Sequence, residues 1–302
     1  MSIRESGIGR TVEPVEEEAA AAPARSRGAL ARILRHPSAR VGLGVLIAYV
    51  LATLLGPLLI HYDPTQQQLT EARLPISASH LLGTDQLGRD ELARLLYGAR
   101  YSLALGFMAV AIGVLAGVPL GAISGYFGGW LDLLLQRVTD ILLAFPNILL
   151  ALALVAALGV GLRNVIISVG ISSIPLFIRL VRSSALSIRE LPYVEAARST
   201  GTRDWMIIVR HVVPNAAAPV IVQGTIQLGT AILIASGLGF LGLGVQAPTP
   251  EWGSMLGEAR NDIFNDPNLA TFPGLAIFLA VLAFNLLGDG LRDALDPRLV
   301  HR

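Results

Sequence analysis

The sequence contains no cysteine and no lysine. Without cysteine there is no disulfide, no thiolate nucleophile and no thiolate metal site. Without lysine, all 23 basic residues are arginines. That excludes the phosphate loop of P-loop nucleotide hydrolases, whose lysine is obligatory, and Schiff-base chemistry on a lysine amine. Charge of either sign is scarce: 15% of the 302 residues are Asp, Glu or Arg, against about 25% in soluble domains. Aromatics reach only 6%. Aliphatic residues fill the chain instead. It is 53% hydrophobic, with a mean hydropathy of +0.61, which is the composition of a membrane protein. The net charge of +1 says little; the placement of the arginines says more.

A helix crossing ~30 Å of hydrocarbon needs about 20 apolar residues. Six stretches qualify: Val41–Ile60, Tyr101–Ser124, Ile141–Val160, Val165–Ser187, Ala216–Gly237 and Leu269–Leu287. The third contains Pro146, the fourth carries Arg179 and Arg182 near one end, and the fifth starts beyond Pro214. The expected fold class is therefore an all-α membrane protein with six transmembrane helices. No apolar h-region precedes Val41, so the first 40 residues are not a secretory signal. Glu13–Arg27, rich in Ala, Glu and Arg, reads as a flexible cytosolic tail. With the N-terminus in the cytoplasm, 17 of the arginines fall on that side and six on the other, the bias of the positive-inside rule. Both termini are then cytoplasmic. The chain divides into a cytoplasmic tail (1–40), a first span (41–60), an extracytoplasmic loop (61–100), a five-helix core (101–291) holding a cytoplasmic loop at 188–215, and a C-terminal cytoplasmic tail (292–302). In the outer loop, Asp90 is placed to cap a short interfacial helix.

Gly113, Gly117, Gly121 and Gly125 recur every fourth residue on the second span. They fall on one helix face and admit a second backbone at close range. The run Gly237-Leu-Gly-Phe-Leu-Gly242 has the dinucleotide-binding spacing, but it ends a membrane span with no strand before it, so it reads as a helix break instead. The five histidines are scattered, with no zincin pair. There is no GxSxG elbow and no paired intramembrane aspartate, and nothing supports catalysis. Ser172 and Ser173 on the fourth span, and Gln223 and Gln227 on the fifth, are polar residues at membrane depth. Such residues face protein or a water-filled path, so these four are the candidates for a translocation path.

Glu195–Asn215, EAARSTGTRDWMIIVRHVVPN, is a charged island between two apolar runs. Glu195–Thr200 fits one short helix. Gly201 fits its end, taking positive φ at low cost. Asp204 fits the start of a second short helix reaching Arg210, and Pro214 precedes the fifth span. Facing the cytoplasm, such a helix pair suits docking onto a soluble partner.

These residues carry a resemblance. Glu195-Ala196-Ala197, Gly201 and Pro214 match the EAA signature of the permease subunits of binding-protein-dependent ABC importers. His211 and Val213 stand where the general pattern has Ile and Leu, and a His there resembles the peptide-importer branch. Leu82-Gly-Thr-Asp-Gln-Leu-Gly-Arg-Asp90, Phe145-Pro-Asn147, Gly239-Phe-Leu-Gly-Leu-Gly244 with Pro250-Glu-Trp-Gly253, and Gly288-Asp-Gly-Leu-Arg-Asp-Ala-Leu-Asp-Pro297 are similar to the C-type permease of dipeptide/oligopeptide importers. Nickel and glutathione importers have similar permeases.

The resemblance implies a transport subunit of the cell membrane rather than an enzyme, forming half of a translocation path for di- or oligopeptides. Its implied partners are a second homologous permease, two cytoplasmic ATPase subunits, an extracytoplasmic substrate-binding protein, peptide substrate and membrane lipids, with no nucleic acid. No cofactor is expected on this chain; ATP and Mg2+ belong to the ATPases. The implied coupling residues are Glu195, Ala196, Ala197, Gly201, Asp204, Arg210, His211 and Pro214, on an EAA helix seated in an ATPase cleft. The competing class, an ion-coupled secondary transporter, typically places acids at mid-membrane, and the six stretches contain none.

Overall fold

The computed structural model describes residues 36–295. The expected N-terminal tail, apart from 36–40, and the end of the C-terminal tail, with Pro297, lie outside the described residues. Within them the chain is helical, and its extended pairing amounts to one isolated antiparallel bridge between Thr84 and Asp90. Five helices are long and apolar enough to cross a membrane, or six if one bent pair counts as a single span.

The first span is α1, Pro37–Leu59, opened by its proline, whose missing N–H costs nothing at a helix start. The second is α2, Glu91–Phe127, 37 residues long. The expected interfacial helix at Asp90 does not exist separately. Asp90 does cap, accepting from the Ala93 N–H at 2.8 Å, but nothing near Tyr97–Tyr101 breaks the helix, so cap and span are continuous. At 1.5 Å per residue α2 is about 55 Å long, well beyond the ~30 Å of hydrocarbon.

The third span is broken. Helices α3, Gly129–Leu143, and α4, Asn147–Leu158, meet at 92°. Pro146 lacks the N–H that would extend α3, and its ring drives Phe145 out of helical geometry. The expected span Ile141–Val160 is therefore not one helix: it begins in α3, turns at Phe145-Pro146 and ends just past α4. The fourth, α5, is Leu162–Ile188.

A short helix α6, Pro192–Ser199, leads to α7, Asp204–Ile207, then a π-helical turn over Ile208–Val212, then α8, Val213–Phe240. The second short helix therefore does not end near Arg210, and Pro214 does not stand before the fifth span but inside one continuous helix. The reason is local. Pro214 has no N–H for the Arg210 carbonyl, and the wider π turn, closed by Val213 N–H to Ile208 O, absorbs the missing donor. Helix α9, Trp252–Ala259, and the sixth span α10, Asn268–Leu295, complete the chain.

The tightest packing joins α2 to α5, along the glycine stripe. A Cβ on Gly117 would lie 2.6 Å from the Phe177 Cβ; on Gly121 and Gly125 it would lie 2.6 Å from the carbonyls of Ile178 and Arg182. The two backbones touch, as the four-residue spacing predicts. Beside the seam, Asp132 of α3 accepts two hydrogen bonds from Arg182 of α5, at 2.6 and 2.7 Å.

The two ends of this bundle are built differently. At one end, which we call the cap, residues 61–90 fold onto α9 and the start of α10. Buried Arg89 and Arg94 both bind Asp85 and Glu258, and Arg73 reaches Asp262 at 2.6 Å. Fully buried Trp252 donates to the Leu95 carbonyl at 2.9 Å, while Glu251 accepts from Ser102 and from the N–H groups of Gly253 and Ser254. Burial pushes the Glu251 carboxyl up from its ordinary range. Burial also works to raise Asp85, but the Arg94 and Arg89 guanidiniums and backbone hydrogen bonding overcome it, holding Asp85 below the usual carboxylate range. The other end carries α6 and α7.

Candidate functional site: an exposed elbow

Helices α6 and α7 meet at Gly201 to form an elbow. Gly201 has φ +79° with open space where a Cβ would stand. Its glycine is thus demanded by backbone handedness, not by crowding. The Gly201 N–H donates to the Arg198 carbonyl at 2.9 Å, and the Thr202 N–H to the Ala197 carbonyl at 3.0 Å. That pair is the Schellman closure of a helix end, as the sequence predicts.

Only one side of α6 is anchored. Val194 is fully buried among Ala122, Tyr126, Val181, Ala185, Ile188 and Ile207, with Ala197 partly buried beside it. The opposite side is bare. Glu195 and Ala196 are exposed, and the Glu195 carboxylate has no partner among the described residues. It sits in the first turn of α6, where the helix dipole favours an anion. Leu191, Tyr193, Trp205 and Val209 add exposed apolar area around it.

The remaining predicted coupling residues divide. Asp204 opens α7, and its Oδ1 accepts from the Tyr126 hydroxyl at 2.7 Å. His211 packs its ring on Tyr193, centroids 5.6 Å apart, and its carbonyl accepts from Asn215 at 2.6 Å. Arg210 and Pro214 are exposed. The eight residues thus occupy one end of the molecule: exposed Asp204 and half-buried His211 make contacts that hold the elbow, whereas Glu195, Ala196 and Arg210 are exposed.

Two residues of this arrangement went unread in the sequence. Tyr126, at the last turn of α2, is 5% exposed. Its hydroxyl also accepts from Arg198 Nε at 3.3 Å, and the Arg198 guanidinium stacks 4.9 Å from its ring. That hydrogen bond pushes the Arg198 pKa further up, so the guanidinium stays charged. The signal available was position: Tyr126 directly follows the last glycine of the stripe and stands two residues before the Gly128-Gly129 turn.

The four path candidates lie elsewhere. Ser172 and Ser173 are buried and back-bond to the Val169 carbonyl at 2.9 Å. Gln227, 3% exposed, donates to the Ser173 hydroxyl at 3.1 Å. The Gln227–Ser173 bond joins α5 to α8 inside this chain, while Ser172 bonds only within α5. Gln223, one turn away, stays half-buried beside Gly224, over which there is open space.

Membrane-length helices, a bundle end closed by buried charge and a bare elbow at the other end together define the membrane subunit of a transporter worked from outside the bilayer. The chain belongs to the family of binding-protein-dependent transport system inner membrane components, whose family model matches residues 117–301. Residues 25–75 match the N-terminal transmembrane domain of oligopeptide transport permease C. The dipeptide transport system permease protein DppC of Alkalihalophilus pseudofirmus is 46% identical, over 95% of this chain and 94% of its own. The glutathione transport system permease protein GsiD of Pectobacterium atrosepticum is 48% identical, over 89% of each. The fold is shared with the inward-facing MetNI methionine ABC transporter, at TM-score 0.54 and 21% identity, over 67% of this chain and 97% of that one. The protein is accordingly a multi-pass inner-membrane permease that works with ATPase and substrate-binding subunits and is not itself an enzyme.

Proposed function

We propose that this chain is one of two homologous permeases in an ATP-driven importer of small peptides, and that the elbow is its dock for a cytoplasmic ATPase. The bare face of α6, with an unpaired Glu195 over a single buried anchor, carries this reading: it is a short helix presented for a groove. In this reading the elbow end and both termini are cytoplasmic, the cap faces outward, two ATPases hold the ATP and Mg2+, and a binding protein delivers substrate at the cap. The arginine distribution supports that orientation. Peptide as the substrate class is supported by the two relatives above, since glutathione is itself a small peptide.

Single cysteines test the orientation cleanly, because the native chain has none. Exposed Ser79 and Ser187 replaced by cysteine should differ: an impermeant thiol reagent added outside should label Ser79→Cys and spare Ser187→Cys. The reverse pattern would overturn the topology. For substrate, the complex reconstituted with its partners should accumulate radiolabelled dialanine only with ATP. Nickel uptake without peptide uptake would replace the peptide reading.

A further inference from the structure

The elbow is tied to the bundle at few points. The chain itself joins α6 to α5 through residues 189–191. Val194 fills an apolar crevice. Tyr126 adds a polar tie, and its geometry is unusual: one hydroxyl bonds both arms. It accepts from Arg198, on the α6 side of Gly201, and donates to Asp204, on the α7 side. Gly201 is held by the Schellman pair but has no side chain to pack, and there is open space where one would stand. The pair closes α6; the direction of α7 beyond Thr202 is left to a brace from outside the turn.

The brace stands on a rigid support. Tyr126 is in the last turn of α2, whose glycine face is in backbone contact with α5 and whose first residues are buried in the charge cluster of the cap. A force on α6 enters α5 along the chain. It enters α2 through the Tyr126 hydroxyl, beside the apolar contact of Val194 and the Arg189 hydrogen bond to the Gly125 carbonyl at 3.1 Å.

We propose that Tyr126 is a positioning residue for coupling: its hydroxyl fixes the angle between α6 and α7, so that movement of the docked α6 is handed to α2 as well as to α5. The proposal rests on the docking reading of α6. Tyr126 touches no ATPase in it and contributes nothing to the docking face.

Tyr126→Phe removes one oxygen and keeps the ring, the Val194 crevice and the Arg198 stack. In the reconstituted complex, membrane abundance, ATPase co-purification and basal ATP turnover should stay at wild-type levels. Dialanine carried per ATP should fall about tenfold, the scale of a lost hydrogen bond to a charged group. Asp204→Ala should lower the same ratio, and the double variant should be no worse than the poorer single, since both remove one link. Spin labels on Ser199→Cys and Leu120→Cys read the angle without any substrate. Their distance distribution should be narrow in the parent and broadened in Tyr126→Phe, and this arm stands even if dialanine is not carried. An unchanged distribution, or an unchanged transport-to-ATP ratio, overturns the proposal. So does loss of the ATPase from the Tyr126→Phe complex, which would make the hydroxyl part of the docking surface. Failure of the docking reading shows separately, as full ATPase retention by Glu195→Ala.

Discussion

The cap and the elbow are opposite ends of the same helices, and they solve opposite problems. In the cap, charges are paired and largely buried: Asp85, Arg89 and Arg94 form one cluster with half-buried Glu258, and the pair of exposed Arg73 with buried Asp262 lies beside it. In the elbow, charges are exposed and mostly unpaired, and a single valine supplies the fully buried contact of α6. Buried ion pairs are a poor source of stability but a strong source of uniqueness, because any other arrangement strands a charge. The cap therefore has one geometry. The elbow leaves its charges and several large apolar side chains exposed.

The difference can be broken most sharply at Arg94. Arg94→Leu leaves Asp85 and Glu258 to share the single arginine Arg89 in a buried site, which should cost about 3–5 kcal/mol. Thermal unfolding in detergent should show a large drop, with little protein in the membrane. A smaller loss is expected at the seam, where Gly121→Leu would push a side chain against the Ile178 carbonyl; overpacking of this kind costs about 1–3 kcal/mol. Gly201→Val should cost roughly 1–2 kcal/mol through φ alone, yet should reduce ATPase association and uptake far more than abundance.

Acid sharpens the contrast further. Asp85 has a folded pKa below its unfolded value of about 3.9. Its stabilisation is therefore fully present above that value and is lost as pH falls through the folded one. The Asp85 share, read as the difference in unfolding midpoint between the parent and Asp85→Asn, should be level from pH 8 to 5 and shrink below about pH 4. The smallest effect on stability belongs to Glu195→Ala, expected within about 0.5 kcal/mol because the side chain is exposed and unpaired. Its effect should appear in ATPase co-purification and uptake instead.

Most of the spans were legible because hydropathy and the positive-inside rule respond to composition, which needs no contacts. Direction was not legible. Phe145-Pro146 turns the third span by 92°, but a window average over Ile141–Val160 is the same for a straight or a bent helix. Asp90 was correctly read as a cap, whereas the end of its helix could not be, since Pro119 stands within it without ending it. At the elbow, Gly201 was readable because positive φ is a local demand. Tyr126 was not, because its partners Arg198 and Asp204 lie 72 and 78 residues away. The cap cluster escaped for the same reason: Asp85, Arg89 and Arg94 are near neighbours in the chain, but Glu258 is supplied from 164 residues beyond Arg94.

The π-helical turn over Ile208–Val212 gives the elbow a phase as well as a position. Each residue of an α-helix advances the azimuth by about 100°, and a π turn holds one residue more than an α turn closes over. The compass bearing of Glu195 about the axis of α8 is thus set by that surplus residue. Pro214→Ala, which restores the missing N–H and lets the same residues wind as an ordinary α-helix, would swing the docking face through about a quarter turn, with every span still in place. A partner that reads this face reads a bearing, and a one-residue change in this short stretch is enough to turn it away.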